Sequence, residues 1–255
     1  MSQDTPSAIR LDLGDRIARI TLDRPERHNA LEAVDVHALL EAFEAVDASE
    51  ARALLLSGSG NETFSSGASL DQMESGHMSR ALFSTVTDRL IDVRIPTVCA
   101  IRGRIYGGGG EIALCCDFRV GSRDTALLVP AAKLGLAYPE SGLRRYVERL
   151  GHGAAARVFL AAETIDGTEL HRLGYLTHFV GPDEVRGTAD ELCQRLANLA
   201  PLALRSMKRT LSGLSSANLD AEEAAASARL CDESEDLAEG LAAWRERRPP
   251  VFRGR

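Results

Sequence analysis

Residues 104–116 read RIYGGGGEIALCC, and their four consecutive glycines, Gly107 to Gly110, decide how the fold is interpreted. Ordering a glycine costs more backbone entropy than ordering any other residue, so packing alone is a poor reason for four in a row. The run offers close approach of bare N–H groups to a ligand at a helix N-terminus, where those donors are unpaired. We therefore predict a ligand-binding loop over 103–110 and a helix that begins at Glu111.

A second glycine-containing loop, FSSGASL at 64–70, also follows a short apolar run. Continuous apolar runs bounded by turn residues are typical of buried strands. An alternating pattern at 9–22 predicts a hairpin, and helical spacing predicts helices between the strands. The predicted strands after the hairpin are 53–56, 97–101, 118–120 and 126–129, and the predicted helices between them are 31–46 and 79–93. This alternation of strands and helices indicates an α/β fold.

Beyond about residue 183 the apolar pattern is helical. It predicts helices over about 184–199, 202–214 and 220–246, with Pro201 between the first two. We predict a division into an α/β core, residues 1–195, and a C-terminal helical region, residues 196–255.

Composition excludes several classes of function. The chain has 255 residues, of which 44% are hydrophobic and 26% charged, as in an ordinary globular protein. The net charge of −7 argues against a general nucleic-acid or anionic-membrane binder, because either needs a basic surface. A few local arginines can still bind an anionic group.

Cysteine and histidine usage excludes further classes. The five cysteines form no C-x-x-C pair, which favours buried thiols in a reducing compartment. The six histidines show no metal-ligand spacing, and no G-x-S-x-G serine motif is present. The N-terminus lacks the apolar region of a signal peptide, and no apolar run approaches the ~20 residues of a membrane span. We expect a cytoplasmic protein without a metal.

Taken together, these segments resemble the enoyl-CoA hydratase/isomerase (crotonase) family. The resemblance covers nearly the whole chain, in order and spacing, through residues 22–31, 64–73, 100–117, 134–136 and 247–255. It implies a crotonase-like spiral of ββα turns and an acyl-CoA thioester as substrate. It also implies no tightly bound cofactor, since coenzyme A arrives as part of the substrate, and a homotrimer or homohexamer assembled through the C-terminal helices.

The resemblance also implies an oxyanion hole, formed by the backbone N–H groups of Ala68 and Gly108. When a thioester loses an α-proton or gains a nucleophile at its β-carbon, negative charge develops on the carbonyl oxygen. Two preorganised donors stabilise that charge by roughly 3 kcal/mol each. The residues implied to contact the substrate or its coenzyme A are Arg24, Ser66, Ala68, Leu70 and Gly107.

Two glutamates are candidate catalytic groups. Family hydratases use a glutamate at the position of Glu111, where a simple complement to the helix dipole is the alternative interpretation. The family's usual second glutamate is Ala131 in this chain, but Glu140 follows shortly after it. Glu140 is interpreted either as a replacement acid or base, as in some isomerase- and dehalogenase-like members, or as a capping acid of the next helix.

Several functions remain open at this point. Hydration would use Glu111 and Glu140 to add water to a 2-enoyl-CoA, whereas isomerisation would use one carboxylate, for which we favour Glu140. Hydrolase, decarboxylase and dehalogenase reactions occur on the same fold. A non-catalytic protein that binds acyl-CoA or RNA is the alternative from another class, although the acidic C-terminal helices argue against RNA. We favour hydration because Glu111 is retained.

Overall fold

The computed structural model describes residues 6–255, which form ten strands in two sheets and ten α-helices. The strands are β1 (Ile9–Leu13), β2 (Ile17–Leu22), β3 (Ala53–Gly58), β4 (Thr63–Ser65), β5 (Thr97–Ala100), β6 (Arg104–Tyr106), β7 (Phe118–Ser122), β8 (Ala126–Leu128), β9 (Ile165–Asp166) and β10 (His178–Val180). The helices are α1 (Ala33–Ala48), α2 (Leu70–Glu74), α3 (Arg80–Ile91), α4 (Gly108–Cys115), α5 (Glu140–Phe159), α6 (Gly167–Arg172), α7 (Val185–Ala197), α8 (Pro201–Ser215), α9 (Ala221–Asp232) and α10 (Glu235–Glu246).

The larger sheet has the strand order β1-β2-β3-β5-β7-β10 and the smaller one β4-β6-β8-β9. The predicted hairpin is confirmed, because β1 pairs antiparallel with β2 in the register Ile9↔Leu22. From β2 onward the larger sheet is parallel. Its central strand β3 is almost entirely buried, which explains the continuous apolar run.

The two sheets are built by repetition of one unit. In β3-β4, β5-β6 and β7-β8 the first strand joins the larger sheet, the second joins the smaller one, and a helix follows. The predicted α/β fold and its spiral of ββα turns are confirmed by this arrangement. Each unit returns the chain to the same edge of the molecule, so the loops after β4 and β6 become neighbours.

Two apolar clusters hold the units together. The larger one lies between the sheets and packs against α1, α3, α4 and α5. The smaller one covers the outer face of the larger sheet, where Val185, Leu192 and Leu196 of α7 pack on Leu55 and Val98. Four of the five cysteines are buried. The predicted boundary at residue 195 falls inside α7, and the division into two regions stays a prediction.

Two predicted elements were wrong in their bounds. The segment 103–110 is not one loop, because Arg104–Tyr106 forms β6 and the helix α4 already begins at Gly108. The helix predicted over 220–246 is two helices, since the Ser234 side chain accepts a hydrogen bond from the N–H of Leu237 and caps a new helix.

The C-terminal helices carry an exposed apolar row. Its members are the exposed large apolar side chains of α8, α9 and α10: Met207, Leu211, Leu214, Leu230, Leu237, Leu241 and Trp244. Trp244 is 85% exposed. The predicted trimer or hexamer would cover this row and stays a prediction. In residues 6–255, none of the helices combines the length and the apolar character that crossing a membrane requires.

Candidate active site

A cavity of about 540 Å³ opens between the two glycine-containing loops, the start of α3 and the segment 129–139. Six of the eight predicted site residues line it: Ser66, Ala68, Leu70, Gly107, Gly108 and Glu111. The two that do not are Arg24 and Glu140. The spiral therefore brings together residues from two separate ββα units, as the glycine loops indicated.

The two loops are in direct contact at Gly67 and Gly108. Gly67 has φ +76°, and a Cβ placed on it would lie 2.6 Å from the Gly108 nitrogen. Because the left-handed conformation and the lack of space both exclude a side chain, glycine is required at position 67. The first loop is tied down by the N–H of Leu31, which donates to the Gly67 carbonyl at 2.8 Å. These contacts fix the two loops relative to each other.

Two backbone donors remain available on the cavity wall. The N–H groups of Ala68 and Gly108 donate no hydrogen bond to an acceptor within residues 6–255. Gly108 is the first residue of α4, where N–H groups lack an intrahelical partner and the helix dipole favours negative charge. Such a pair of donors can bind an oxygen that carries negative charge.

Phe83 closes the cavity beside the second loop. A Cβ on Gly108 would lie 2.5 Å from Cε1 of Phe83, so the ring packs directly on the bare backbone of that glycine. The helix predicted over 79–93 contains Phe83, but the sequence gives no sign that this residue borders the site. The face of the loop that Phe83 covers is thereby protected from water.

Glu111 is held in the first turn of α4 by two side-chain donors. Its side chain is only 3% exposed, and Nη1 of Arg145 donates to Oε1 at 2.5 Å. The Tyr138 hydroxyl donates to Oε2 at 2.8 Å. Burial, and next the negative charge of Glu111, raise the pKa of Tyr138 well above its ordinary value. Tyr138 is therefore a neutral donor to a charged acceptor.

Arg145 is itself oriented by α3. Its Nη1 lies 3.0 Å from Oγ1 of Thr87, and its other terminal nitrogen is paired with Asp88. The guanidinium group thus joins α3, α4 and α5, and it fixes the direction of the Glu111 carboxylate.

The segment that follows β8 approaches Glu111 closely. Ala131 begins a 3-10 turn and packs partly against the core where the family pattern has a glutamate. At the start of α5, a Cβ on Gly142 would lie 2.8 Å from Oε2 of Glu111 and 2.5 Å from Cε1 of Tyr138. The lack of a side chain at position 142 lets α5 pack against the carboxylate and the tyrosine ring.

The structure does not bring Glu140 together with Glu111. Glu140 is the first residue of α5, its side chain is 75% exposed, and its Oε1 accepts from Nε of Arg144 at 3.0 Å. The position is that of a helix N-terminal acid, which was the alternative interpretation. The cavity is lined instead by the two preceding residues, Tyr138 and Pro139.

Arg24 is also directed away from the cavity. Its Nη1 lies 2.5 Å from Oδ2 of Asp35 and 3.1 Å from the carbonyl oxygen of Ala30, and both charged side chains are buried. Asp35 in turn accepts from the N–H groups of Ala8 and Glu32. This network ties the N-terminal strand to α1. The guanidinium of Arg24 therefore already has its hydrogen-bond acceptors within the fold.

Two residues contact Glu111, and the sequence indicates one of them. It places Tyr138 beside the predicted site, as a packing residue or as a hydroxyl that orients substrate or water, but it does not single out Arg145. Nothing in the sequence distinguishes Arg145 from the adjacent Arg144, although one is buried and the other exposed. The difference in exposure between the two arginines follows only from how α5 is rotated about its own axis.

Comparison with known proteins gives a consistent result. The sequence profile of the enoyl-CoA hydratase/isomerase family matches residues 12–255. The carnitinyl-CoA dehydratase of Salmonella enteritidis is 32% identical over 253 residues, covering 94% of this chain and 95% of that protein. The structure of an enoyl-CoA hydratase/carnithine racemase from Magnetospirillum magneticum is similar with a TM-score of 0.92, at 28% identity over 98% of this chain and 97% of the other. An enoyl-CoA hydratase from Mycobacterium tuberculosis H37Rv has a TM-score of 0.88 and 27% identity over 98% and 100% of the two chains.

Proposed function

The chain belongs to the enoyl-CoA hydratase/isomerase family of acyl-CoA enzymes, and on this premise we propose that it adds water reversibly to a 2-enoyl-CoA thioester. One observation carries the proposal. The buried carboxylate of Glu111 lines the same cavity as the free N–H groups of Ala68 and Gly108. That arrangement supplies a base and a pair of donors for an enolate oxygen.

These groups account for the proton and the electron pair that move in hydration. Glu111 accepts one proton of the attacking water, whose oxygen bonds to the β-carbon of the substrate. The electron pair of the double bond moves towards the thioester oxygen, where Ala68 and Gly108 donate to it. Glu111 then returns the proton to the α-carbon. Each backbone donor contributes roughly 3 kcal/mol to the stability of the enolate-like state.

The names of two similar proteins support the proposed addition of water. The Salmonella relative is a carnitinyl-CoA dehydratase, and the Mycobacterium neighbour is an enoyl-CoA hydratase. Both names describe addition or elimination of water at a CoA thioester. We extend that chemistry, but not the carnitinyl group, to the present chain.

A second candidate is isomerisation of a 3-enoyl-CoA to the conjugated 2-enoyl-CoA. It is favoured by the departure from the two-carboxylate pattern, since Ala131 replaces one glutamate and Glu140 lies outside the cavity. One base suffices for this reaction. Glu111, rather than Glu140, would remove a proton from the α-carbon and return it to the γ-carbon, while the same two donors bind the intermediate enolate.

We further propose that no tightly bound cofactor takes part and that the chain assembles as a homotrimer or homohexamer. The apolar row on α8, α9 and α10 supports such an assembly, because exposed apolar patches on soluble proteins mark interaction sites. Sedimentation of the purified chain tests this proposal, and a monomer at micromolar concentration contradicts it.

The near-ultraviolet absorbance of the conjugated thioester tests the reaction. Loss of absorbance from a 2-enoyl-CoA indicates hydration, and gain of absorbance from a 3-enoyl-CoA indicates isomerisation. Glu111→Gln should abolish either signal. If neither substrate changes, and coenzyme A thioesters or RNA bind saturably without turnover, the protein is a binding protein and the enzymatic proposal fails.

A further inference from the structure

Both oxygens of the Glu111 carboxylate are hydrogen-bonded. Its side chain is 3% exposed, and Arg145 of α5 donates to Oε1. Tyr138 is half-buried, lines the cavity beside Glu111 and donates its hydroxyl proton to Oε2. The Tyr138 hydroxyl therefore combines a place on the cavity wall with a direct hydrogen bond to the carboxylate.

We propose that Tyr138 is a further catalytic residue, which relays the proton between the reacting molecule in the cavity and Glu111. The proposal rests on the proposed function and applies to both candidate reactions. In hydration, an O–H bond of water breaks while the Tyr138 oxygen gains that proton. At the same time the original Tyr138 proton passes to Oε2 of Glu111. The phenol ends the step neutral, Glu111 ends it protonated, the water oxygen bonds to the β-carbon, and the electron pair of the double bond moves to the thioester oxygen. The relay then runs in reverse and delivers the proton to the α-carbon.

In isomerisation the same relay begins at carbon. The α C–H bond breaks, its proton passes to the Tyr138 oxygen, and the Tyr138 proton passes to Glu111. The electron pair goes to the thioester oxygen, and the relay runs in reverse to deliver a proton to the γ-carbon. No oxidant, reductant or further reactant is required.

The hydroxyl has the bonding capacity that a relay needs. A phenol donates one hydrogen bond and can accept others, and within residues 6–255 the hydroxyl of Tyr138 makes one bond, its donation to Glu111. Burial and the charge of Glu111 keep the resting phenol protonated by raising its pKa. A concerted relay never requires the phenolate, because one proton arrives as the other leaves.

The ring of Tyr138 is positioned by its neighbours. It packs against Phe159 with ring centroids 4.7 Å apart, and the bare backbone of Gly142 lies against its edge. Ala131, on the same segment, leaves the cavity wall without a second carboxylate at that point. The relay thus links the buried carboxylate of Glu111 to a reacting molecule in the cavity.

The variant Tyr138→Phe tests the relay by removing the hydroxyl alone. We expect kcat to fall by about 100-fold or more, while KM changes by less than about threefold, because a transition-state interaction is lost and substrate binding is not. Tyr146→Phe is the matched control. Tyr146 is buried, and its hydroxyl has no hydrogen-bond partner among residues 6–255, so the same change should leave kcat nearly unaltered.

A second measurement separates a relay from a supporting role. Single-turnover rates of the unaltered protein in mixtures of H₂O and D₂O should depend on the deuterium fraction as expected for two protons in motion if the reaction is hydration. If it is isomerisation, they should show one proton, that of Tyr138, because the carbon-bound proton does not exchange with solvent. One proton fewer than this in either reaction overturns the relay even if Tyr138→Phe does not fold. If the unaltered protein acts on neither a 2-enoyl- nor a 3-enoyl-CoA, the proposed function has failed. If it is active and Tyr138→Phe retains its kcat, only the relay has failed.

Discussion

Nη1 of Arg145 lies 2.5 Å from Oε1 of Glu111, and this contact joins the first turn of α4 to α5 across 34 residues of chain. Both side chains are largely buried, at 12% and 3% exposure. The pair therefore determines the direction of the Glu111 carboxylate beside the second glycine loop. Removal of the Arg145 side chain should therefore affect stability as well as activity.

Arg145→Ala should lower the free energy of unfolding by about 3–5 kcal/mol, because Glu111 would be left buried without its partner charge. Chemical denaturation measures the change. Arg144→Ala is the control, since Arg144 pairs with Glu140 at the surface and exposed pairs contribute less than about 1 kcal/mol. Equal losses from the two variants would contradict the buried pair.

Glu111→Gln should reduce kcat by about 100-fold or more, since the amide cannot accept a proton from the reacting molecule. Glu140→Gln should change kcat by less than about twofold, because that side chain is exposed and outside the cavity. Steady-state rates with the thioester that proves to be a substrate give both values. A large effect of Glu140→Gln alone would restore Glu140 as the catalytic group.

Gly67→Ala should abolish activity, since a methyl group would collide with the Gly108 nitrogen at 2.6 Å and push the loops apart. Gly76→Ala is a close control. Gly76 has φ +77°, nearly the same as Gly67, but in the part of the chain that the structure describes no heavy atom beyond its chain neighbours lies within 4 Å of its Cβ position. The Gly76→Ala variant should lose only about 1–2 kcal/mol in free energy of unfolding, from left-handed backbone strain, and its reaction rate should be unchanged. Activity in Gly67→Ala would show that the contact between the loops is dispensable.

Arg24→Ala should destabilise the fold by about 3–5 kcal/mol, because the buried carboxylate of Asp35 loses its partner. KM for the CoA thioester should change by less than about threefold in protein that remains folded. Thermal denaturation and steady-state kinetics at a temperature below the transition measure the two effects. A tenfold rise in KM without loss of stability would support the coenzyme A contact that the family resemblance implied.

The sequence predicted the alternation of strands and helices because its physical signals are strong. Buried parallel strands such as β3 appear as continuous apolar runs, and Gly107 to Gly110 have a high entropy cost that only a special backbone role explains. The short strands β4, β6, β9 and β10 were missed, since two or three residues show no period. The break at Ser234 was missed because the cap lies within an acidic stretch that favours helix on both sides.

Within the site, backbone positions were easier to predict than side-chain contacts. Ala68 and Gly108 belong to loops that carry their own signal, and both line the cavity. The contacts of Glu111 with Tyr138 and Arg145 depend on how α5 packs against α4, which no local pattern encodes. Tyr138 and Glu140 are two residues apart, and the start of α5 at Glu140 determines which of them faces the cavity.

Trp244 on α10 also determines what optical spectroscopy can observe. It is the single tryptophan of the chain, and it lies in the exposed apolar row rather than near Glu111. Intrinsic tryptophan fluorescence should therefore be insensitive to events in the catalytic cavity. A shift of its emission to shorter wavelength on raising the protein concentration would report burial of α10 between subunits, without any added label.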